Sequence, residues 1–496
     1  LPYKCTEYQP LDHWREELGP LAGDVLPDLA YCELYRQSAY RACESVQERL
    51  REIMKPAYSH APVYPLLSAF ALKHLPFGTC YDYGVVTLAA MRSKGIPVAI
   101  DFTPQWPMQG SGHSWNVLLD DTGQTKKFGG VSDTPLREAH KPLEKMGKVY
   151  RKTYAVNPEI RRLFVSEKYI PPLFCNLFIR DVTTEYMAVA TLRIGLSGKI
   201  PDTRYAYLAV FDNHAWQPID FARISRRQAI FRYIGRNIVY LPVYYTADGP
   251  VPAGYPCRVG PASGQLRELI PDTTARQTLV LQRTHPVMMY LYSLRTRLKG
   301  GKIQAAHHSD FRDAQTIHEF TTYNPCDTLQ ICDSISYRYW RYLSAPGGRN
   351  NMAELLFYAD TLDYRPLQGE IIGSEGSYQE NPRWDKRAVF DGDPLTVYEA
   401  RHRTGDWAGL DFGRPISPAA FAYLFRADIN TVRFGDRYEL LYQDREGWIS
   451  LGTQEATGWS VRFEGAPRNA LFLLRHTEGK GESRPFTWEG GEAVWW

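Results

Sequence analysis

The first 165 residues switch between two hydrophobic periods. From Tyr35 the apolar or small positions run Tyr35, Ala39, Ala42, Val46, Leu50 and Ile53. Steps of three and four put them on one face of a helix, and Pro56 stops it. A second helix is predicted from Cys80 to Lys94, closed by Gly95 just past its end. The period then drops to two. Strands are predicted at 97–102 ("PVAIDF") and 114–120 ("SWNVLLD"), with a hairpin turn at 120–124. Beyond about Leu163 the helical signal fades. Strand-like runs recur at 185–194, 204–211, 237–245 and 278–283, separated by turns rich in Gly, Pro, Asp and Asn. The pattern predicts an α+β multidomain chain: an α+β unit over 1–165, then β-sandwiches over 166–268, 269–362 and 363–496.

Composition narrows this picture. The chain has 496 residues, 44% hydrophobic and 23% charged, as folded proteins do. No run of 18 apolar residues is present, so a transmembrane span is excluded as an expectation. The 58 basic residues nearly match the 55 acidic ones, so charge makes no case for nucleic acid. Aromatics reach 13%, and most fall inside strand runs, which assigns them to sandwich cores. None of the eight cysteines forms a C-x-x-C pair, which argues against a zinc ribbon; Cys326 and Cys332 are close enough to bridge. The chain begins at Leu1, and a removed signal peptide with a secreted, periplasmic or cell-surface location is the expectation. His285, His307, His308 and His318 lack metal-ligand spacing and read as surface residues.

The sharpest chemistry lies in "FGTCYDYGVVTLAAMRSKGIPVAIDF" followed by "GSGHSWNVLLD". Cys80 opens a helix, where backbone N–H groups and the dipole favour a thiolate and can hold an oxyanion. His113 opens a strand after a glycine-rich loop and is the candidate base and acid for that thiolate. A third group should orient the imidazole. A regular hairpin puts residues 130–133 opposite His113, making Asp133 the geometric candidate.

This stretch resembles the transglutaminase-like superfamily of papain-like folds. The resemblance rests on Gly78-Thr79-Cys80, Arg92 before Gly95-Ile96-Pro97, and His113-Ser114-Trp115. It implies a Cys80 nucleophile, a His113 base, Tyr81 and Trp115 beside the substrate cleft, and no cofactor for catalysis. The family's aromatic–Asp pair reads Phe128-Gly129-Gly130 here, with no carboxylate. The implied function is a cysteine peptidase, amidase or acyltransferase acting on a protein, peptide or glycoconjugate. The alternative is a glycan- or glycoprotein-binding protein with a degenerate Cys–His cleft.

Near the C-terminus, Asp391, Asp393 and Thr396 crowd one turn, a density of oxygen ligands suited to Ca²⁺. With Trp407–Gly413 ("WAGLDFG"), Arg426 and Glu492, this region resembles the discoidin, or factor 5/8 type C, family of galactose-binding-like jelly rolls. The resemblance implies a structural Ca²⁺ held by Asp391, Asp393, Thr396 and Glu492. Trp384, Arg401 and Arg403 lie on candidate glycan-binding loops. Region 269–362 resembles a weaker copy of the same sandwich, and 166–268 an immunoglobulin-like or prealbumin-like one. The combination is similar to surface proteins of Bacteroidetes.

Overall fold

The computed structural model describes residues 14–24, 38–54, 57–58, 69–74, 77–131, 145–198, 201–288, 291, 293–331, 335–361 and 365–496. It is built mostly from β-sheets, with few helices. No helix among the described residues is long and apolar enough to cross a membrane.

The periodic face read from Tyr35 becomes α2 (Ala39–Met54), which buries Ala42, Cys43, Val46 and Leu50. With α1 (Trp14–Ala22) and the single turn α3 (Ala69–Leu72), it packs around α4 (Cys80–Ser93). Helix α4 is apolar on nearly all sides because helices cover one flank and a sheet covers the other. That antiparallel sheet has the order β3-β2-β1-β4-β5, from β1 (Val98–Thr103), β2 (His113–Leu119), β3 (Thr125–Phe128), β4 (Tyr150–Lys152) and β5 (Ile179–Asp181). Ile100, Leu118 and Phe128 join α4 in one core.

The next unit contains β6 (Val189–Gly195), β7 (Tyr205–Phe211), β8 (Trp216–Arg223), β9 (Gln228–Gly235) and β10 (Val239–Thr246). β8, β7 and β10 are neighbours in one sheet, and β9 pairs with β6. Leu192, Ile194, Leu208, Ile219, Phe231 and Tyr240 fill the core between them.

The expected division at 362–368 does not separate two sheets. Tyr337–Leu343 pairs with Trp407–Ile416, and Met352–Tyr358 pairs with Ala420–Phe425. Residues 302–425 thus build one sandwich across that boundary, with Trp340, Tyr342, Phe357, Phe421 and Tyr423 in its core. The terminal sandwich takes its first strand from earlier in the chain: Asp272–Leu281 pairs with Val461–Arg468. Alternation reveals which face of a strand is buried, but not which partner it finds. The aromatic excess goes where strand alternation sent it: Tyr207, Tyr240, Tyr244, Trp340, Tyr342, Tyr398 and Tyr438 are all buried.

One buried cation ties distant segments together. Arg484 is 0% exposed, and its Nη1 donates to Pro107 O at 2.7 Å and Phe211 O at 2.8 Å. Burial pushes its guanidinium down to about 10. Arg484→Ala leaves two buried carbonyls unpaired, and the expected loss is about 2 kcal/mol. The shift of the urea midpoint measures it, and an unchanged midpoint contradicts it.

Candidate functional site

Cys80 is positioned by helix capping. Thr79 is the N-cap of α4, and its Oγ1 accepts from Asp82 N at 3.3 Å. Asp82 Oδ2 accepts in return from Thr79 N at 2.8 Å and from Thr79 Oγ1 at 2.7 Å. This reciprocal box holds the first turn, and therefore the Cys80 side chain, in place. At the other end Gly95 takes φ 79°, and Ile96 N returns to Met91 O at 3.1 Å. A left-handed residue there lets the chain turn back into β1.

His113 starts β2 opposite Thr103. The glycine before it is required by space: a Cβ on Gly112 would stand 2.5 Å from Pro104 O. His113 is exposed, and its ring lies 6.2 Å from the Trp106 ring in a stacked arrangement and 5.8 Å from Trp115. Burial resists ionisation of the Cys80 thiol. Hydrogen bonding from His113, the Ser114 backbone N–H, the His113 charge and the Ser114 hydroxyl outweigh it, bringing the thiol down to about 7. The Ser114 hydroxyl lies 3.8 Å from Sγ.

Cys80 and His113 line a cavity of about 620 Å³ with Tyr81, Phe102, Gln105 and Lys152. Its far wall comes from Pro171–Leu173 and from Gln217 and Pro218 of β8. Lys152 Nζ donates to Tyr81 Oη at 2.7 Å and sits 3.9 Å from the Tyr81 ring centroid. Burial pushes this ammonium down to about 8. Tyr81 therefore lines the cavity.

Trp115 does not. It is 2% exposed, and its Nε1 donates to Tyr186 Oη at 3.0 Å, away from the cavity. Beside Trp115, Asp101 is 0% exposed and accepts two 2.8 Å bonds from Arg151 and a third from the Tyr186 hydroxyl. Burial pushes the Asp101 carboxyl up, and Arg151 opposes that shift. Asp133 lies outside the described residues. The pairing of β2 with β3 ends at Asn116 and Phe128, and Gly130 then takes φ 45°, so the ladder does not extend as far as His113. Phe128 is buried against α4, and the residues after it are Gly129 and Gly130, so no carboxylate follows that ring.

The calcium candidates separate. Asp391 accepts from Thr396 Oγ1 at 2.9 Å, and Asp393 O accepts from the same hydroxyl at 2.9 Å, so three of the four form one turn. Glu492 does not join them. It is exposed and pairs with Glu489 in the last hairpin, in a different sheet. The glutamate that faces the turn is Glu354, whose carboxyl lies within the influence of Asp391, Asp393 and the Gly392 backbone N–H. It is 1% exposed, and neither carboxylate oxygen has a hydrogen-bond partner. Burial, then Asp391 and Asp393, push its carboxyl up to about 8, with only weak help from the Gly392 backbone N–H. Among the described residues no three acidic, His or Cys side chains already stand in a metal-ligand array.

Trp384 stacks on Tyr378, with centroids 6.2 Å apart and planes at 15°. Arg401 pairs with Glu380 at 2.6 Å, and Arg403 is exposed on the same turn as Arg401. His285, expected at the surface, is buried at 7% exposure. Of the two cysteines close enough in sequence to bridge, Cys332 lies outside the described residues, and Cys326 is a free, buried thiol.

No protein family matches the chain, and no curated protein and no solved structure matches it.

Proposed function

We propose that the chain is a transglutaminase-like cysteine enzyme that forms a thioester on Cys80 and passes the acyl group to water or an amine. The single observation behind this reading is the Cys80 thiol, drawn down to about 7 at a helix start beside His113 in a 620 Å³ cavity. The thiolate attacks an amide carbonyl carbon. As the first helical residue, Cys80 has no intrahelical acceptor for its own N–H, which can hold the oxyanion. His113 protonates the departing amine, then takes a proton from the incoming water or amine, and the thiol is regenerated. The β-sandwiches hold the enzyme near a glycan or glycoprotein outside the cytoplasm, with Trp384, Arg401 and Arg403 as contact candidates.

The test is acylation by p-nitrophenyl acetate, quenched in acid and read by intact mass. A single acetyl group on Cys80, absent in Cys80→Ser, is the expected result. Wild type that acetylates no faster than Cys80→Ser refutes it. That outcome favours the second reading, a degenerate cleft used for binding. What supports that reading is that the rings packed on His113 are those of Trp106 and Trp115, neither of which can take an imidazole proton.

We also infer a structural Ca²⁺ held by Asp391, Asp393, Thr396 and Glu354, with Glu354 in the role first given to Glu492. A buried carboxylate with two unpartnered oxygens facing two more carboxylates fits a hard cation. The ion supplies charge neutralisation that fastens this turn to the sandwich core.

A further inference from the structure

Seven arginines converge on one concave face of the second unit, and among the described residues none has a carboxylate partner. The face holds two adjoining hollows of about 590 and 620 Å³ that share Arg162, Tyr205 and Arg223 as a common wall. The first adds Arg161, from α5 (Pro158–Ser166), and Arg204, over an apolar floor of Pro158 and Val165. The second adds Arg193, Arg226 and Arg232. All seven side chains belong to exposed residues, and the one acidic residue in either lining is Glu159. In a chain of net charge +3, this is a concentrated positive site rather than a share of a general excess.

The backbone supports a purpose for it. Between β8 and β9, Ser225 and Gln228 exchange two N–H···O bonds of 2.9 Å around Arg226 and Arg227. Both arginines take left-handed φ, 49° and 58°. That two-residue turn ordinarily carries Asn-Gly, so arginine there is a strained choice, and strain of this kind collects at binding sites. It delivers Arg226 into the second hollow.

We propose that this double hollow binds an acidic polysaccharide. The cations are all arginine, whose planar fork pairs two donors with a carboxylate or sulfate. Two hollows behind a shared wall suit anionic groups repeated along a chain, not a single phosphate. The Tyr205 ring and Pro158 offer an apolar face to a sugar ring between the guanidinium groups. Single-stranded nucleic acid would need a succession of exposed rings for its bases, and Tyr205 is the one ring in the first hollow. The site does not depend on Cys80 being a nucleophile. Its position is still suggestive: Pro218 of β8 lines the Cys80 cavity and Arg223 of β8 lines the basic hollows. Five strand residues separate those positions by about 17 Å.

The experiment is calorimetric titration of the full chain with a heparin octasaccharide and an octagalacturonate at about 50 mM salt, where charge pairing is strong. The R162E/R223E double variant changes exposed side chains and keeps its thermal midpoint. We expect one or both saccharides to bind, and the double variant to bind at least about tenfold more weakly. The remote charge reversal R312E should bind as wild type does. Preference for heparin identifies sulfate as the recognised group, and preference for galacturonate identifies carboxylate. The proposal is overturned if neither saccharide binds, if R162E/R223E binds as wild type, or if oligo-dT binds as tightly as the better saccharide.

Discussion

His113→Ala is expected to lower acyl turnover by roughly 10²- to 10⁴-fold while slowing iodoacetamide alkylation of Cys80 only about three- to sixfold at pH 7. The two readouts separate two roles of one ring. In wild type the thiol, down at about 7, is half ionised at neutral pH. Without the imidazole it returns toward about 8.5–9, and the ionised fraction falls roughly 16- to 50-fold. A more basic thiolate is also a better nucleophile, which restores about five- to eightfold. Alkylation therefore slows modestly, and its midpoint moves up by about two pH units. Acyl transfer additionally needs a proton given to the leaving amine, which the variant cannot supply. The other described cysteines are a built-in comparison. Burial pushes the Cys257 and Cys326 thiols up to about 12 and that of Cys43 further still, so Cys175, which is exposed, is the competitor. Peptide mapping should place the first label on Cys80. A Cys80 alkylation midpoint near that of an ordinary thiol removes the basis of the catalytic reading.

The helix behind Cys80 was legible because its signals are local: a capping Thr79, an Asp82 three residues on, and a Gly95 past the end. Strand β2 and the hairpin turn at 120–124 that joins it to β3 were legible for the same reason, since alternation and an Asp-Gly-rich turn mark them. What the cavity needs beyond Cys80, His113 and Tyr81 was not legible. Lys152, Gln217 and Pro218 reach it from strands far along the chain, and no spacing rule links them. Trp115 was misread because H-x-W places it on the face of His113 without saying that β2 is already covered there by Trp106, Met146 and Val149. The seven arginines escaped for a related reason. They lie at 161–162, 193, 204, 223–226 and 232, so no basic run exists until the sheet folds them together. Sandwich boundaries failed where strands pair across long insertions, because strand patterning carries no partner information.

In chelator, Glu354→Gln should melt higher than wild type at pH 8.5, and calcium should narrow that gap by raising wild type while leaving the variant nearly unmoved. The sign follows from the raised carboxyl. Its folded value is up at about 8 against 4.5 for an ordinary glutamate, so the folded state holds the proton more tightly. Metal-free stability is therefore complete below about 4.5 and falls as pH rises through about 8, by a few kcal/mol. Glutamine keeps the shape without the charge and removes that slope. Calcium acts in the opposite direction, because it binds the ionised carboxylate that the buried site otherwise rejects. At a concentration 100-fold above its dissociation constant it adds about 2.7 kcal/mol, or roughly 5–10 °C in the melting midpoint of this unit. Glu354→Gln should show little of that gain, whereas Glu492→Gln should show all of it, since Glu492 sits in another sheet. Scanning calorimetry of the three proteins with EDTA and with calcium, at pH 6 and pH 8.5, reads every arm. Equal calcium shifts in wild type and Glu354→Gln would leave Glu354 as a proton-holding core carboxyl, and the acidic turn as a hydrogen-bonded turn without a metal.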